Sequence, residues 1–381
     1  MKKLQDFNFK GKNVLVRCDF NVPVSVEGKV LDDFRIKMAL PTIKYLIKQE
    51  AKVILMSHLE SKGKKTSLKN ILLKLEDLLN QKVKLLTDYF QNNVRREIEK
   101  LEPGQVVLLE NLRFYKEEKE NDKGFAQKIS ELGDIFVNEA FPSCHRKHAS
   151  IVGIPRYLPR AAGFLLEKEI KVFSDLLNKP KTPFVVIIGG IKIKTKIKTI
   201  LNILKRADHL ILGSKIGEVI LIQKGQLIGR AFTEEKLIDK IDLTDPRIHM
   251  PIDGVIGLKN LKEGYLRTGG VGTLRKEEDV FDIGPESIKI FKKIIKTAKT
   301  ILWNGTLGMH EDKRFEKGTK EIANAIVRTY PAFKIAGGGE TISAITTFGL
   351  MEKFDFLSTG GGAMLQFLAG EKLPGIEALE D

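Results

Sequence analysis

Residues 336–341 read Ala-Gly-Gly-Gly-Glu-Thr, set between an apolar run (332–335) and a second apolar stretch (342–345). Three glycines at a strand-to-helix turn let backbone N–H groups come close to an anion, and the helix dipole favours negative charge there. Phosphate is the ligand this chemistry suits. A single turn of this kind is better explained by a need for positive φ, which glycine meets without steric cost. The same signature recurs, however, at Gly189-Gly190-Ile191-Lys192-Ile193-Lys194-Thr195-Lys196, at Gly213-Ser214-Lys215, at Asn304-Gly305-Thr306-Leu307-Gly308 and at residues 358–363. Three of these turns precede residues patterned as helices, so several helix N-termini can converge on one polyphosphate. No GxxxxGK[ST], no GxGxxG and no protein-kinase signature occurs.

The first half of the chain carries a different set. Asp19 and Asn21 are two apart, which puts both side chains on one face of an extended segment. Ser57-His58, Glu110-Asn111-Leu112-Arg113, Asn138-Glu139 and His145-Arg146 each follow a short apolar run. Taken singly, Arg113 reads as a helix-capping cation, His58 as a satisfied buried imidazole and Arg35 as a surface charge. Together they predict an anion pocket, because arginine's planar fork binds carboxylate and phosphate in two-pronged fashion.

The elements that must position these residues follow from periodicity. Residues 14–16, 53–56, 106–109, 135–137, 184–188, 210–212, 300–303, 333–336 and 356–358 read as short buried strands, most of them alternating with amphipathic helices. This order predicts an α/β fold of two doubly wound parallel-sheet domains, with ligands at the carboxyl ends of the strands. Ile36, Leu40, Ile43 and Ile47 keep helical spacing, with Pro41 expected to kink that helix or mark its start. Residues 164–178 form a well-patterned helix with Leu166, Ile170, Phe173 and Leu177 on one stripe, and Pro180 and Pro183 then mark a boundary. The expected division is 1–156, a helix and hinge at 157–180, 181–357, and a C-terminal segment 358–381.

At 381 residues and 42% hydrophobic content the chain is long enough for more than one core. No apolar stretch reaches the roughly 20 residues of a membrane span, and the N-terminus lacks a secretion signal, so a cytoplasmic protein without a membrane partner is expected. Cys18 and Cys144 read as free thiols, with no structural zinc expected. A net charge of +15 favours anionic partners. The lysines are spread along the chain without interleaved aromatics, which argues for small phosphorylated ligands over specific nucleic acid. The densest basic run, Lys62 to Lys69, reads as a solvated loop.

The stretches Arg17-Cys18-Asp19-Phe20-Asn21-Val22-Pro23, Ser57-His58-Leu59, Leu109-Glu110-Asn111-Leu112-Arg113-Phe114, His145-Arg146, Asp282-Ile283-Gly284-Pro285, Trp303-Asn304-Gly305 and residues 358–363 together resemble the phosphoglycerate kinase family, end to end. The resemblance implies a monomeric two-domain hinge enzyme that moves a phosphoryl group between ATP and 3-phosphoglycerate with magnesium. It implies a substrate site of Asp19, Phe20, Asn21, Arg35, His58, Leu59, Glu60, Ser61, Arg113 and Arg146. It assigns catalysis to Arg35, Lys192, Lys196, Gly338 and Gly361, with Arg35 and Lys192 meeting only on domain closure. Nucleotide contacts are implied for Gly189, Gly190, Lys196, Gly213, Asn304, Glu311, Gly337, Gly338, Gly339, Glu340 and Thr341, with Glu340 facing the metal. The segment from Leu365 to Asp381 is expected to return to the first domain.

The chain departs from the family pattern mostly around one ligand. Glu340 stands in place of the usual aspartate, Gly213-Ser214-Lys215 in place of three glycines, Ile191 in place of a small residue, Thr306 in place of proline and His310 in place of phenylalanine. On the substrate side Glu60-Ser61-Lys62 replaces Gly-Arg-Pro, and Phe141-Pro142-Ser143-Cys144 replaces Phe-Gly-Thr-Ala. These changes leave open a second reading, a paralogue that binds phosphoglycerate or another small anion with little kinase activity. They also leave the nucleotide base open. A basic protein that binds nucleic acid non-specifically, a reading resting on charge alone, ranks third.

Overall fold

The computed structural model describes residues 1–61, 63–90, 92–223, 225, 236–261 and 264–380. Lys62 and Asp381, both named above, lie outside them. Two compact units divide the chain, one comprising Met1–Val172 with Lys372–Asp381 and the other Phe173–Glu371.

The first unit runs β1 (Asn13–Arg17), α1 (Phe34–Lys48), β2 (Lys52–Met56), a hairpin of β3 (Glu60–Ser61) and β4 (Lys64–Lys65), α2 (Lys69–Leu79), β5 (Val83–Leu86), α3 (Asn92–Glu99) and β6 (Val106–Leu109). It continues through α4 (Lys116–Glu120), α5 (Lys123–Ser130), β7 (Ile135–Asn138) and β8 (Arg160–Ala162) into α6 (Phe164–Asn178). Six strands pair in parallel in the order β5-β6-β2-β1-β7-β8. Alternate residues Val14 and Val16, Val53 and Leu55, and Val106 and Leu108 join Ile36, Ile43 and Leu46 of α1 in one core. Each such buried side chain contributes roughly 1.5–3 kcal/mol. That burial carries α1 past Pro41, so the helix begins at Phe34 and not at the proline. The run expected as a solvated loop holds β4 and the first residue of α2, with Leu68 fully buried between them.

The unit boundary falls within α6, whose extent matches the helix read from its apolar stripe. The second unit holds β9 (Phe184–Ile188), α7 (Ile193–Ile203), β10 (His209–Leu212), α8 (Ser214–Gln223) and β11 (Ile248–His249). A three-stranded antiparallel sheet follows, β12 (Asp253–Leu258), β13 (Leu266–Gly270) and β14 (Glu278–Ile283), in the order β13-β12-β14. Then come α9 (Pro285–Thr297), β15 (Thr300–Asn304), α10 (Lys317–Arg328), β16 (Phe333–Gly337), α11 (Gly339–Thr347), β17 (Phe356–Ser358) and α12 (Gly361–Leu368). The main sheet is parallel, in the order β11-β10-β9-β15-β16-β17. Its central strands, β9 and β15, are buried at every residue, as a sheet covered on both faces requires.

The chain end divides between the units. Thr199 and Asn202 of α7 donate to the carbonyls of Leu365 and Leu368, at 2.7 and 2.8 Å, within the second unit. The short α13 (Pro374–Glu377) belongs to the first, where the Gly375 N–H donates to the Cys144 carbonyl at 2.8 Å. Among the described residues no helix is long and apolar enough to cross a membrane.

Candidate active site

In the first unit the predicted residues gather beyond the carboxyl ends of β1, β2 and β6. Asp19 Oδ1 accepts from the Asn21 N–H at 3.0 Å and from Arg35 Nη1 at 3.1 Å, and Arg35 also donates to the Asn21 carbonyl at 3.1 Å. Phe20, fully buried, donates its N–H to Ser57 Oγ at 2.8 Å. Asn21 Oδ1 accepts from the Glu60 N–H at 2.9 Å, which ties β1 to the hairpin. The hairpin has its own scaffold: Asn111 Nδ2 donates to the carbonyls of Leu59 and Thr66, both at 2.7 Å, and Asn111 Oδ1 accepts the Arg113 N–H at 3.0 Å. Glu110 receives the N–H groups of Leu68 and Asn111 and the hydroxyl of Ser67. The Glu110-Asn111 pair is therefore structural, and Arg113 is held by it.

Glu60 takes a role the motif did not disclose. Its carboxylate accepts from Arg113 Nη1 at 2.5 Å and from Lys119 Nζ at 3.0 Å. Ser61 lies beside it in β3. Arg146 is exposed, and its guanidinium makes no ion pair or hydrogen bond within the described residues; burial depresses the pKa of both His145 and His148, and the charges of Arg146 and Arg113 add to it.

The most deeply buried cation is one the spacing did not single out. Arg17 is fully buried; it donates from Nε to Ser150 Oγ at 2.8 Å, from Nη1 to the Cys18 carbonyl, and lies with Nη2 3.1 Å from His58 Nδ1. Ser150 in turn donates to Glu118 at 2.6 Å. Burial is the main force lowering the His58 pKa well below its ordinary value, with the charges of Arg17, Arg113 and Arg35 adding to it against Asp19. Burial alone would raise Asp19; Arg35, Arg17 and the Asn21 N–H outweigh it and hold that carboxyl at about 2. The arginines outnumber the carboxylates of Asp19 and Glu60, so the cluster stays cationic, a surface prepared for an acid bearing further hydroxyl or phosphate groups.

In the second unit the glycine turns meet. A Cβ on Gly213 would lie 2.7 Å from the Gly189 Cα, one on Gly189 would collide with the Gly305 and Thr306 carbonyls, and one on Gly361 would lie 3.3 Å from the Gly338 Cα. Gly190, Gly305 and Gly338 have φ of 83°, 89° and 100°, so both the space and the backbone demand glycine there. Gly337 is crowded by Met364 and Ser358, and Gly338 is the N-cap of α11, which places Gly339, Glu340 and Thr341 in its first turn. Thr341 Oγ1 accepts the Gly305 N–H at 2.6 Å. Asn304 donates from Nδ2 to the Gly337 carbonyl at 2.7 Å, while its buried Oδ1 has no hydrogen-bond partner.

Two lysines mark the start of α7. Lys192 is its exposed N-cap, and Lys196 is buried, donating to the Gly189 carbonyl. Burial, offset by Glu340 and reinforced by Lys192, lowers Lys196 to about 8. Cations at the positive end of a helix dipole are unfavourable unless an anion sits among them. A cavity of about 440 Å³ opens beside them, lined by Gly190, Ile191, Thr306, Leu307, Glu311 and Glu340 among others. Among the described residues no three carboxylate, imidazole or thiol groups gather as a cation cage. Glu340 is the carboxylate beside Gly190 and Lys196.

Two parallel α/β units, one ending in a cationic cluster and the other in glycine turns around a cavity, define a class of strand-edge anion binders. A phosphoglycerate kinase family model matches residues 4–371. A phosphoglycerate kinase of Borrelia garinii is 43% identical, covering 100% of this chain and 99% of its own, and that of Aquifex aeolicus is 41% identical, covering 100% and 98%. Among solved structures, the phosphoglycerate kinase of Pyrococcus horikoshii superposes with a TM-score of 0.88 at 34% identity, covering 100% of this chain and 98% of its own. The Coxiella burnetii structure superposes at 0.82 and 35%, covering 99% and 98%. The chain belongs to the phosphoglycerate kinase family.

Proposed function

We infer that the protein is a phosphoglycerate kinase, catalysing reversible phosphoryl transfer between 1,3-bisphosphoglycerate with ADP and 3-phosphoglycerate with ATP, as a cytoplasmic monomer. The observation that carries this reading is the pairing, in one family member, of the Asp19–Arg35–His58–Arg113 cluster with a buried Lys196 beside the Gly338 turn. Phosphoryl transfer asks little covalent chemistry of a protein and much alignment and charge neutralisation. Asp19 and Asn21 grip the acceptor's hydroxyl and carboxylate end, Arg113 and Arg146 neutralise its phosphate, and Arg35 neutralises the transferring group. Lys192 and Lys196 balance charge on the transferring group, the backbone N–H groups of Gly338 to Thr341 hold the donor phosphates, and Glu311 receives the ribose hydroxyls.

Magnesium fits the donor set: it keeps waters and binds through one or two carboxylates plus substrate phosphates, which matches Glu340 beside a polyphosphate turn. When bound, it supplies neutralisation of the phosphate oxygens. The extra methylene of Glu340 relative to aspartate is compatible with that role.

The test is a coupled assay with ATP, magnesium and 3-phosphoglycerate beside the Lys196→Ala variant. Turnover abolished by the substitution is expected. A folded protein that binds 3-phosphoglycerate without turnover supports the alternative, a binder with little kinase activity, which the crowding of departures around the cavity favours.

A further inference from the structure

We propose that Asp282 and Thr319 are positioning residues for the donor's ribose: they clamp the two ends of the loop from Leu307 to Gly318 and so fix where Glu311 meets the ribose hydroxyls. This rests on the kinase reading of the cavity. Asp282, from the Asp-Ile-Gly-Pro stretch, is fully buried near the end of β14. Its Oδ1 accepts the Ile283 N–H at 2.9 Å and its Oδ2 the Gly318 N–H at 2.6 Å. It forms no ion pair among the described residues; burial pushes its carboxyl up to about 7, against the N–H groups of Gly318 and Ile283 and the charge of Lys317. A buried carboxyl without an ion pair costs stability. What this one secures is the course of the loop.

Both ends of that loop press their backbone onto the same side chain. A Cβ on Gly308 or on Gly318 would lie 2.2 Å from Asp282 Oδ1, so neither position has room for one. Thr319, fully buried in the first turn of α10, completes the clamp: its Oγ1 accepts the N–H groups of Leu307 and Gly308, both at 3.1 Å. Between the ends, the Met309 N–H donates to the Phe281 carbonyl at 2.9 Å, and the buried Phe315 ring stacks on that of Phe281 with centroids 5.0 Å apart. Phe281 lines the cavity and immediately precedes Asp282, so one strand end supplies both a wall and the clamp. Glu311 lies two residues beyond Met309, exposed on the rim of the same cavity. An exposed carboxylate has no packing to hold it in place. Its reach is set by the backbone that Asp282 and Thr319 hold.

Calorimetric titration of the full chain with magnesium-ADP, with magnesium-dideoxy-ADP, which lacks both ribose hydroxyls, and with 3-phosphoglycerate tests this without requiring turnover. The unsubstituted protein is expected to bind ADP about tenfold more tightly than the dideoxy nucleotide, the low end for hydrogen bonds to a charged group. Asp282→Ala is expected to shrink that preference below about threefold and to leave 3-phosphoglycerate within about twofold. A merely structural role would weaken both nucleotides alike and keep their ratio. Asp282→Ala strands two buried N–H groups, so Thr319→Val, of nearly the same shape, is measured as well, with the same shrinkage expected. A tenfold preference retained in both variants, or no preference in the unsubstituted protein, overturns the proposal. The expected ratios without phosphoryl transfer in the coupled assay overturn the kinase reading and leave this one standing. Binding of neither nucleotide overturns both.

Discussion

The Nη2 of buried Arg17 lies 3.1 Å from Nδ1 of His58. Arginine can only donate, so Nδ1 accepts and the ring proton sits on Nε2. With the imidazole held neutral by its burial, His58 presents an N–H donor throughout the physiological range. Arg17→Lys keeps the charge but loses the fork, and is expected to raise the KM for 3-phosphoglycerate about tenfold. Imidazole ¹⁵N shifts are expected to change from a single Nε2–H tautomer to a mixture. An unchanged tautomer would remove Arg17 from this role.

Glu60 pairs with Nη1 of Arg113 as an internal anion. Partial burial works against the charge of the Glu60 carboxyl, but Lys119 and Arg113 outweigh it and lower its pKa, so it is an anion at neutral pH. An anionic substrate has to displace it. Glu60→Gln is expected to lower the KM for 3-phosphoglycerate several-fold, by about 1 kcal/mol, in initial-rate measurements. A rise in KM would show that Glu60 assists binding.

Lys196 at about 8 sets an alkaline limit. Its folded pKa is depressed from 10.5, so the ammonium is lost as pH rises through about 8. The kcat/KM for ATP is expected to fall above that pH, since this parameter reports the free enzyme. Lys196→Arg moves that limb beyond the accessible range while lowering the rate. The sign for stability is opposite: between about 8 and 10.5 the unfolded chain binds the extra proton, so this group's contribution to stability rises with pH.

Arg35→Ala is expected to reduce turnover about a thousandfold, as for other arginines that neutralise a transferring phosphoryl group. It also has a reading apart from activity. The Asp19 pKa is depressed from 3.8 to about 2, so its contribution to stability is present above 3.8 and is lost as pH falls through about 2. Without Arg35 the depression shrinks, and acid unfolding followed by circular dichroism is expected at higher pH.

Gly305→Ala tests the glycine cluster. At φ of 89°, with a Cβ forced against the Gly189 carbonyl and Lys196 Nζ, the variant is expected to lose about 2 kcal/mol or more in urea unfolding. Gly272, with open space around it, serves as the neutral control for added side-chain bulk.

The sequence alone determined the nine strands read from apolar runs, the extent of α6 and the glycine-bordered edge. Strands of a parallel sheet covered on both faces are uninterrupted apolar segments, and the turns that follow them need glycine for local backbone reasons. The antiparallel β12–β14 sheet escaped that reading, because β13, Leu-Arg-Thr-Gly-Gly, is exposed or half-buried along its length and carries no apolar run. Only the tertiary structure decided the partners of the charges. Ser150 reaches Arg17 across 133 residues, Glu60 reaches Arg113 across 53, and Asp279 reaches Lys215 across 64. Local periodicity shows which face a side chain takes. Which charges meet depends on which loops the strand order brings to one edge, and that is settled only when the sheet is assembled.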